Sequence, residues 1–283
     1  MASVLITGCS KGIGLATALV LGRAGHTVYA TMRDPKGSPE LAQAAEKERL
    51  PITIAAMDVN SDESVRDCIA SIQKKHGPLD VLVNNAGIER KGSVEELPIS
   101  EVRAIMETNY FGPVRCIQAV MPEMRKRRTG CIINISSVAG KISSPPLTAY
   151  SASKYALESL SEGLAQEAKM FNIRVAIVEP GITQTAMAQR VAETKGDGIS
   201  AIYPHERRMA TLFTNSLPNA TPPTVVAEKI REIIEGTSWK LRYPVGADAE
   251  GYLKWRSSMT DEEWVNQGAV DDETWQRSIA ASQ

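Results

Sequence analysis

A tyrosine and a lysine four residues apart, Tyr150 and Lys154, are the side chains of this sequence best suited to acid–base chemistry. The pattern from Thr148 onward predicts a helix, so the two side chains should share one face, one turn apart. At a separation of about 4 Å and an effective dielectric of about 20, an ammonium group favours a phenolate by ~4 kcal/mol. The pKa of the phenol would then fall by roughly three from about 10, which suits proton exchange near neutrality.

Ser137 is the third candidate catalytic residue. It follows the apolar run 131–135, which predicts a buried strand, and Pro145 and Pro146 separate it from the helix. A hydroxyl at a strand end that faces Tyr150 and Lys154 would complete a three-point site for a carbonyl or an alcohol. Because the Tyr-x-x-x-Lys pattern also arises by chance, the hypothesis requires that the chain bind a hydride carrier as well.

Length and composition exclude several other classes of function. The 283 residues allow one or two domains, and a net charge of −1 gives no electrostatic footprint for nucleic acid or an anionic membrane. Strand-like sequence begins at Ser3, and no apolar run reaches the length of a membrane span, so we expect a cytoplasmic protein without a signal peptide. We predict no metal site and no disulfide, because the histidines and cysteines lack paired spacing. These residues are His26, His76, His205, Cys9, Cys68, Cys116 and Cys131.

Three glycines follow the first predicted strand and open the first predicted helix. Gly8 allows a tight turn, Gly12 lets the backbone approach a pyrophosphate, and Gly14 permits close packing of helix on strand. The free N–H groups of the helix would face the anion. This context predicts a dinucleotide site, although the spacing is G-x-x-x-G-x-G and a plain strand-to-helix turn needs only one such glycine.

Residues beyond the second predicted strand, 27–31, favour NADP over NAD. The strand end carries Met32 and Arg33, and Lys11 adds a second cation beside the glycine turn. An arginine at this position suits a 2′-phosphate, whereas an NAD site presents an acid there. Asp34 keeps NAD open, although its position before Pro35 is typical of a turn residue.

Two further strand ends could contact the cofactor. The strand 52–57 ends at Asp58, whose carboxylate could reach an adenine amino group or help to cap the next helix with Asn60 and Ser61. The strand 81–83 leads into Asn84-Asn85-Ala86-Gly87. Small and amide side chains there would let a ribose lie against the backbone while the amides hold neighbouring strands together.

A long helix over 101–128 contains Asn109, four residues before Pro113. Because proline lacks an N–H, the carbonyl of Asn109 loses its helical partner and could hold a water that links Lys154 to solvent. A helix that is merely kinked is the alternative. We assign no partner to the basic run that closes this helix.

The remaining sequence predicts a strand over 173–178, a lid over 183–223 and a last strand over 240–243. The lid is a long, poorly periodic connection of a kind that usually covers a ligand. The domain therefore covers 1–243, and an extension covers 244–283. In the extension Thr260 and Glu263 have the spacing of a capping box, and three tryptophans are available to pack on the domain or on a neighbouring subunit: Trp255, Trp264 and Trp275.

Taken together, these motifs resemble the short-chain dehydrogenase/reductase family between Val4 and Tyr243. The resemblance implies an α/β fold, a doubly wound (Rossmann-type) seven-stranded parallel sheet with helices on both faces. It also implies that Tyr150 is the acid/base, that Lys154 lowers its pKa and binds the nicotinamide ribose, that Ser137 holds the substrate oxygen and that Asn109 holds the relay water. The region after the second strand is similar to NADP-dependent 17β-hydroxysteroid and retinol dehydrogenases. The residues expected to contact the cofactor are Gly8, Ser10, Lys11, Gly12, Ile13, Gly14, Arg33, Asp58, Val59, Asn85, Ala86, Gly87, Tyr150, Lys154, Pro180, Gly181, Ile182 and Thr185.

The predicted reaction is hydride transfer between NADP and a ketone or secondary alcohol, with an apolar substrate suggested by the Met, Leu, Phe and Tyr content of the lid. A non-catalytic NADP-sensing regulator on the same fold is the alternative from another class. A nucleotide-sugar epimerase is disfavoured by the glycine spacing and the short C-terminal region. The family likeness implies a homodimer or homotetramer.

Overall fold

A computed structural model describes residues 1–193, 200 and 202–280 of the chain. Seven strands form one sheet in the order β3-β2-β1-β4-β5-β6-β7, and every neighbouring pair is parallel. The predicted doubly wound sheet is therefore confirmed, and its order reverses between β1 and β4, where such sheets bind ligands. The strands are β1 (Ser3–Thr7), β2 (Thr27–Met32), β3 (Ile52–Ala56), β4 (Val81–Asn84), β5 (Gly130–Ile135), β6 (Ile173–Pro180) and β7 (Arg242–Val245).

Helices cover both faces of this sheet. Since side chains alternate along a strand, Val4 and Ile6 of β1 pack with α1 and α9, whereas Leu5 packs with α3, α5 and α6. Burial on both faces explains why the strands are continuous apolar runs. The helices are α1 (Gly12–Arg23), α2 (Glu40–Glu48), α3 (Asp62–His76), α4 (Ile99–Met106), α5 (Gly112–Arg127), α6 (Thr148–Lys169), α7 (Ala186–Ala192), α8 (His205–Ser216), α9 (Pro223–Glu235), α10 (Ala247–Ser257), α11 (Asp261–Asn266) and α12 (Asp272–Ala280).

The single helix predicted over 101–128 is wrong. A π-helical turn, Glu107–Phe111, separates α4 from α5, and the N–H of Gly112 bonds to the carbonyl of Glu107, five residues earlier. Pro113 contributes no N–H to the first turn of α5, so a wider turn is tolerated at this point. Asn109 lies within this turn.

The lid, which the sequence predicted only as a long and poorly periodic connection, contains regular structure. It contains α7, α8 and a 3₁₀ turn at Leu217–Asn219, although 194–199 and 201 lie outside the described residues. Because α7 is short, its sequence shows little helical periodicity. The helix begins directly after Thr185, whose hydroxyl caps it. Burial of Met209 and Ala210 fixes one face of α8.

Three helices, α10 to α12, form the extension after β7. The predicted capping box at Thr260 and Glu263 is present at the start of α11. A separate apolar cluster, centred on Ile182 of the loop after β6 and Tyr252 of α10, joins the lid to the extension. Among the described residues, no helix is both long enough and apolar enough to cross a bilayer.

Candidate active site

A cleft of about 580 Å³ lies at the carboxyl edge of the sheet. It is lined by almost all the residues that the sequence singled out, whereas Gly14 and Asn109 lie behind its wall. The predicted residues in the lining are Gly8, Ser10, Lys11, Gly12, Ile13, Arg33, Asp58, Val59, Asn85, Ala86, Gly87, Ser137, Tyr150, Lys154, Pro180, Gly181, Ile182 and Thr185.

The glycine turn between β1 and α1 has the backbone that its sequence predicts. Gly8 and Gly12 have φ values of +73° and +60°, which disfavour any residue with a Cβ. A Cβ on Gly8 would also lie 2.8 Å from Cα of Ala86, so the turn packs directly against the loop after β4. Since no side chain caps the start of α1, its first N–H groups are available to an anion in the cleft.

The amides after β4 hold this turn in place. Asn85 Nδ2 donates to the carbonyls of Thr7 at 2.8 Å and Gly8 at 3.1 Å. The hydroxyl of Thr7 accepts hydrogen bonds from the backbone N–H groups of Asn85 at 3.0 Å and Ala86 at 2.9 Å. The predicted function of the amides in joining neighbouring strands is therefore observed, and it leaves the small Ala86 and Gly87 facing the cleft.

Ser137 stands at the end of β5, as expected, and begins a 3₁₀ turn at Val138–Gly140. Its hydroxyl accepts a hydrogen bond from the N–H of Ala139 at 3.1 Å and donates a long one, 3.5 Å, to the carbonyl of Pro180. It also lies close enough to the hydroxyl of Tyr150 to lower the pKa of that phenol. The serine and the phenol thus meet at one point of the cleft, although the prolines separate them in sequence.

Lys154 lies one helical turn after Tyr150 on α6 and is only 5% exposed. Its Nζ donates to the carbonyl of Ile135 at 2.8 Å and lies 5.7 Å from the centroid of the Tyr150 ring. Burial lowers the pKa of Lys154 to about 8, while the nearby carboxylate of Glu158 opposes that fall. The ammonium form therefore still predominates at neutral pH.

The prediction that the pKa of Tyr150 falls is wrong when the groups of this chain alone act on it. Burial raises the pKa of Tyr150 to about 12, because the phenolate would lose its hydration. The neighbouring hydroxyl of Ser137 lowers the pKa and the carboxylate of Glu89 raises it, and both effects are smaller than that of burial. The prediction assumed a close ammonium in a partly solvated site, whereas Lys154 directs its Nζ toward Ile135.

Asn109 connects the loop after β4 to the helix that carries Tyr150. Its Oδ1 accepts from the N–H of Ile88 at 2.9 Å, and its Nδ2 donates to the carbonyl of Ile88 at 2.8 Å and to Ser153 Oγ at 3.0 Å. Ser153 Oγ in turn donates to the carbonyl of Tyr150 at 2.7 Å. The side chain is thus fully used in positioning, and a water on its backbone carbonyl stays a prediction.

The charged residues at the far end of the cleft separate into two groups. Lys11 and Arg33 are exposed and line the cleft. Asp34 Oδ1 instead accepts from the N–H groups of Lys36 at 3.1 Å and Gly37 at 3.0 Å, so Asp34 is engaged in a turn. This end of the cleft therefore presents the cations of Lys11 and Arg33.

Asp58 lines the cleft at the end of β3. Its Oδ1 accepts a hydrogen bond from the N–H of Asn60 at 3.0 Å, while the cap of α3 is Ser61. The structure thus gives Asp58 a local turn contact and leaves its contact with adenine a prediction.

An ion pair on the wall of the cleft, with its carboxylate buried, was not predicted from the sequence. Glu89, 6% exposed, accepts two hydrogen bonds from the guanidinium of Arg190, at 3.2 and 3.0 Å. Lys91 Nζ donates to the carbonyl of Arg190 at 2.8 Å. The run of charged residues 89–91 was the feature of the sequence that could have indicated this pair. These contacts attach α7 of the lid to the loop after β4.

The opposite end of the cleft is apolar and is formed by the lid and the extension. Trp255 and Trp264 contact each other edge to face, with their centroids 4.9 Å apart, and Trp264 Nε1 donates to the carbonyl of Ser143 at 3.1 Å. The extension thus packs on the cleft of its own chain. The apolar lining from these two segments includes Met209, Leu212, Phe213, Tyr252, Trp255, Trp264 and Ile279.

Sheet order, glycine turn and cleft together place this protein among the doubly wound α/β proteins. Residues 2–196 match the family model described as short chain dehydrogenase. The chain belongs to the short-chain dehydrogenase/reductase family, as its motifs predicted.

Two curated relatives illustrate the range of similarity. Retinol dehydrogenase 8 of Bos taurus is 43% identical over 196 residues, covering 68% of this chain and 62% of the relative. The chain therefore matches less than two thirds of the length of that protein. The 3-ketodihydrosphingosine reductase of Bacteroides thetaiotaomicron is 41% identical over 214 residues, covering 76% of this chain and 74% of the relative.

Solved structures share the fold. A short-chain dehydrogenase from Streptomyces avermitilis superposes with a TM-score of 0.79 at 33% identity, covering 95% of this chain and 98% of that one. ElxO with NADP bound gives a TM-score of 0.72 at 31% identity, covering 90% and 100% of the two chains.

Proposed function

We propose that this protein is an NADP-dependent oxidoreductase that transfers a hydride between the nicotinamide and a ketone or secondary alcohol with apolar substituents. The observation that carries the proposal is the meeting of Ser137, Tyr150 and Lys154 in one cleft with the glycine turn. Neither the glycine turn nor the group of three side chains is decisive alone. The turn could bind any nucleotide, and the hydroxyls could bind any polar ligand.

The protein residues fit the needs of carbonyl reduction. The high pKa of Tyr150 keeps its proton in place at neutral pH, so the phenol can donate that proton to a substrate oxygen. Ser137, whose hydroxyl lies next to this phenol, would steady the same oxygen. The charged form of Lys154 would stabilise the phenolate that is left and bind ribose hydroxyls. When bound, the cofactor supplies the hydride.

NADP is the preferred cofactor in this proposal. Lys11 and Arg33 supply positive charge at the cleft, whereas the carboxylate of Asp34 is held in its own turn. A 2′-phosphate would form charge-assisted contacts with the two cations. The NADP-bound relative with 31% identity supports the same preference.

An apolar substrate is supported by the wall that the lid and the extension form. The two curated relatives are named for retinol and for 3-ketodihydrosphingosine, both largely hydrocarbon. These names of a dehydrogenase and a reductase also favour catalysis over the alternative of a non-catalytic sensor. We retain two further proposals, a cytoplasmic location expected from the sequence and a homodimer or homotetramer implied by the family likeness.

The test is a panel of steroids, retinoids, aliphatic ketones and sugars, followed by the absorbance of NADPH. We expect oxidation of NADPH with apolar ketones and little with sugars. Binding of NADPH without turnover of any ketone or alcohol would favour the sensor, and turnover of sugars alone would contradict the proposed substrate class.

A further inference from the structure

Two glutamates are buried together behind the catalytic cleft. Glu158 of α6 is 4% exposed and Glu179 of β6 is 2% exposed, and their carboxyl groups lie within hydrogen-bonding reach of each other. The guanidinium of Arg242 serves both unequally, because its Nε lies 2.9 Å from Glu158 Oε2 and 3.9 Å from Glu179 Oε1. One full positive charge thus serves two buried acids, and it also binds the exposed Glu162.

Several oxygens in this cluster find no donor among the described residues. They are Glu158 Oε1, Glu179 Oε1 and Ser136 Oγ. A Cβ on Gly140 would lie 2.6 Å from Ser136 Oγ and 3.3 Å from Glu158 Oε1, so this glycine lets the serine turn pack tightly on the helix. A buried acceptor without a donor is costly, and a proton retained by one carboxyl would supply the missing donor.

Each member of the cluster is adjacent to a group of the proposed catalytic site. Glu158 lies one helical turn after Lys154, and its charge opposes the fall in the pKa of that lysine. Ser136 directly precedes Ser137. Glu179 directly precedes Pro180, whose carbonyl accepts the hydrogen bond from Ser137.

The charges around Glu179 agree with retention of a proton. Burial, followed by the charge of Glu158, raises the pKa of Glu179 to about 7, while Arg242 and Lys141 act in the opposite direction. The charged groups that face the two acids come from α6, from β7 and from the turn after β5. They are Lys141, Lys154, Glu162 and Arg242.

We propose that Glu179 retains a proton up to about neutral pH and shares it with Glu158 through a hydrogen bond, and that this carboxyl pair positions the turn that carries Ser137 and maintains the charge of Lys154. Both are positioning residues, since neither lines the cleft. The proposal rests on the proposed function only for the consequences in catalysis, because the sharing of the proton is a property of the protein alone.

The first experiment measures kcat against pH for the reduction of an active ketone. In Glu158→Gln the pKa of Lys154 loses the charge that raises it, so the alkaline limb should move to lower pH by about half a unit, or roughly threefold in rate on that limb. KM for NADPH should change less than about twofold. In Glu179→Gln the limb should stay near its original position, since the charge that raises the pKa of Lys154 is that of Glu158.

Glu162→Gln is the matched control, because Glu162 binds the same guanidinium of Arg242. Its Oε2 lies 2.7 Å from Arg242 Nη2, and the side chain is exposed, one turn further along α6. Its profile should match the wild type. An unshifted limb in Glu158→Gln, or an equal shift in the control, would overturn the effect on Lys154, whatever the rates.

The second experiment needs no turnover, and its main result comes from the wild-type protein. Infrared spectra of wild-type protein labelled with ¹³C-glutamate should show the carbonyl band of a buried carboxylic acid that disappears with a midpoint near pH 7. Glu179→Gln should lack this band and Glu162→Gln should keep it. Absence of the band at about pH 6 would overturn proton sharing, whereas a band without any turnover would contradict the proposed function alone.

Discussion

The Nζ atom of Lys154 lies 5.7 Å from the ring centroid of Tyr150 and forms its hydrogen bond with the backbone of β5. The sheet thus fixes the position of Lys154, whose ammonium group is bonded to the backbone and not to the phenol. Tyr150 is consequently a donor that keeps its proton, whereas Lys154 is a cation that can lose its charge. This arrangement has a direct consequence for the pH dependence of the rate.

Reduction of a ketone should slow as the pH rises through about 8, the pKa of Lys154. Below that value the ammonium can stabilise a developing phenolate, and above it the lysine is neutral. Tyr150 keeps its proton over this range, because its pKa of about 12 is far higher. The profile of kcat with NADPH checks the prediction, and a rate that stays constant between about pH 7 and 10 would contradict it.

Tyr150→Phe should lower kcat by about 10²–10⁴-fold, because the phenol is the proposed proton donor. The affinity for NADPH, measured by quenching of tryptophan fluorescence, should change little. Tyr155→Phe is the control, since Tyr155 is the neighbouring tyrosine on α6 and is exposed. Residual activity of Tyr150→Phe within a few-fold of the wild type would remove Tyr150 from its proposed role.

Arg33→Asp should reverse the cofactor preference. Loss of a charge-assisted contact of about 1.5–3 kcal/mol would lower kcat/KM for NADPH by roughly tenfold or more, and the new carboxylate would suit the hydroxyls of NADH. Lys36→Asp changes the same charge in the same turn but lies away from the cleft lining. Equal effects of the two substitutions would indicate general electrostatics instead of a phosphate contact.

Glu179→Gln should stabilise the protein on the alkaline side of neutrality. The folded state raises the pKa of Glu179 from 4.5 to about 7, so its favourable contribution is complete below 4.5 and is lost as the pH rises through 7. The gain in Tm over the wild type should therefore be larger at about pH 8 than at about pH 5. A gain that does not depend on pH would show that the substitution acts through packing instead.

Asn109→Ala should reduce both stability and turnover. Removal of the Asn109 side-chain amide leaves the N–H and carbonyl of Ile88 without their partner. This loss costs about 1–3 kcal/mol in the free energy of unfolding. The turn that supports Tyr150 would also loosen, so kcat should fall more than the affinity for NADPH. Asn266→Ala, at the exposed end of α11, provides the comparison in urea unfolding. Wild-type stability in Asn109→Ala would contradict the positioning role.

The sheet and the cofactor edge could be predicted because their determinants are local. The glycines of the first turn require particular backbone angles, and apolar runs end at polar residues where strands meet the cleft. Asp34 was correctly interpreted as a turn residue from its position before proline. Such features depend on a few neighbouring residues and so are visible in the sequence.

What the sequence could not supply depends on contacts between distant segments. Glu89 and Arg190 are 101 residues apart, and neither belongs to a motif. The direction of the pKa of Tyr150 was wrong because burial and the hydrogen bond from Lys154 to Ile135 follow from the packing of α6 on β5. The helices of the lid and the π-helical turn were missed for a similar reason, since tertiary contacts stabilise short or irregular helices.

The tryptophan wall comes from a part of the chain that follows the last strand, while the family model ends at residue 196. In the proposed function, the helices that would contact the substrate and the residues that would assist hydride transfer therefore lie in separate stretches of the sequence. Exchange of α10 to α12 between family members would alter the shape that the cleft accepts and leave the reacting hydroxyls untouched, which makes this segment a natural starting point for redirecting specificity.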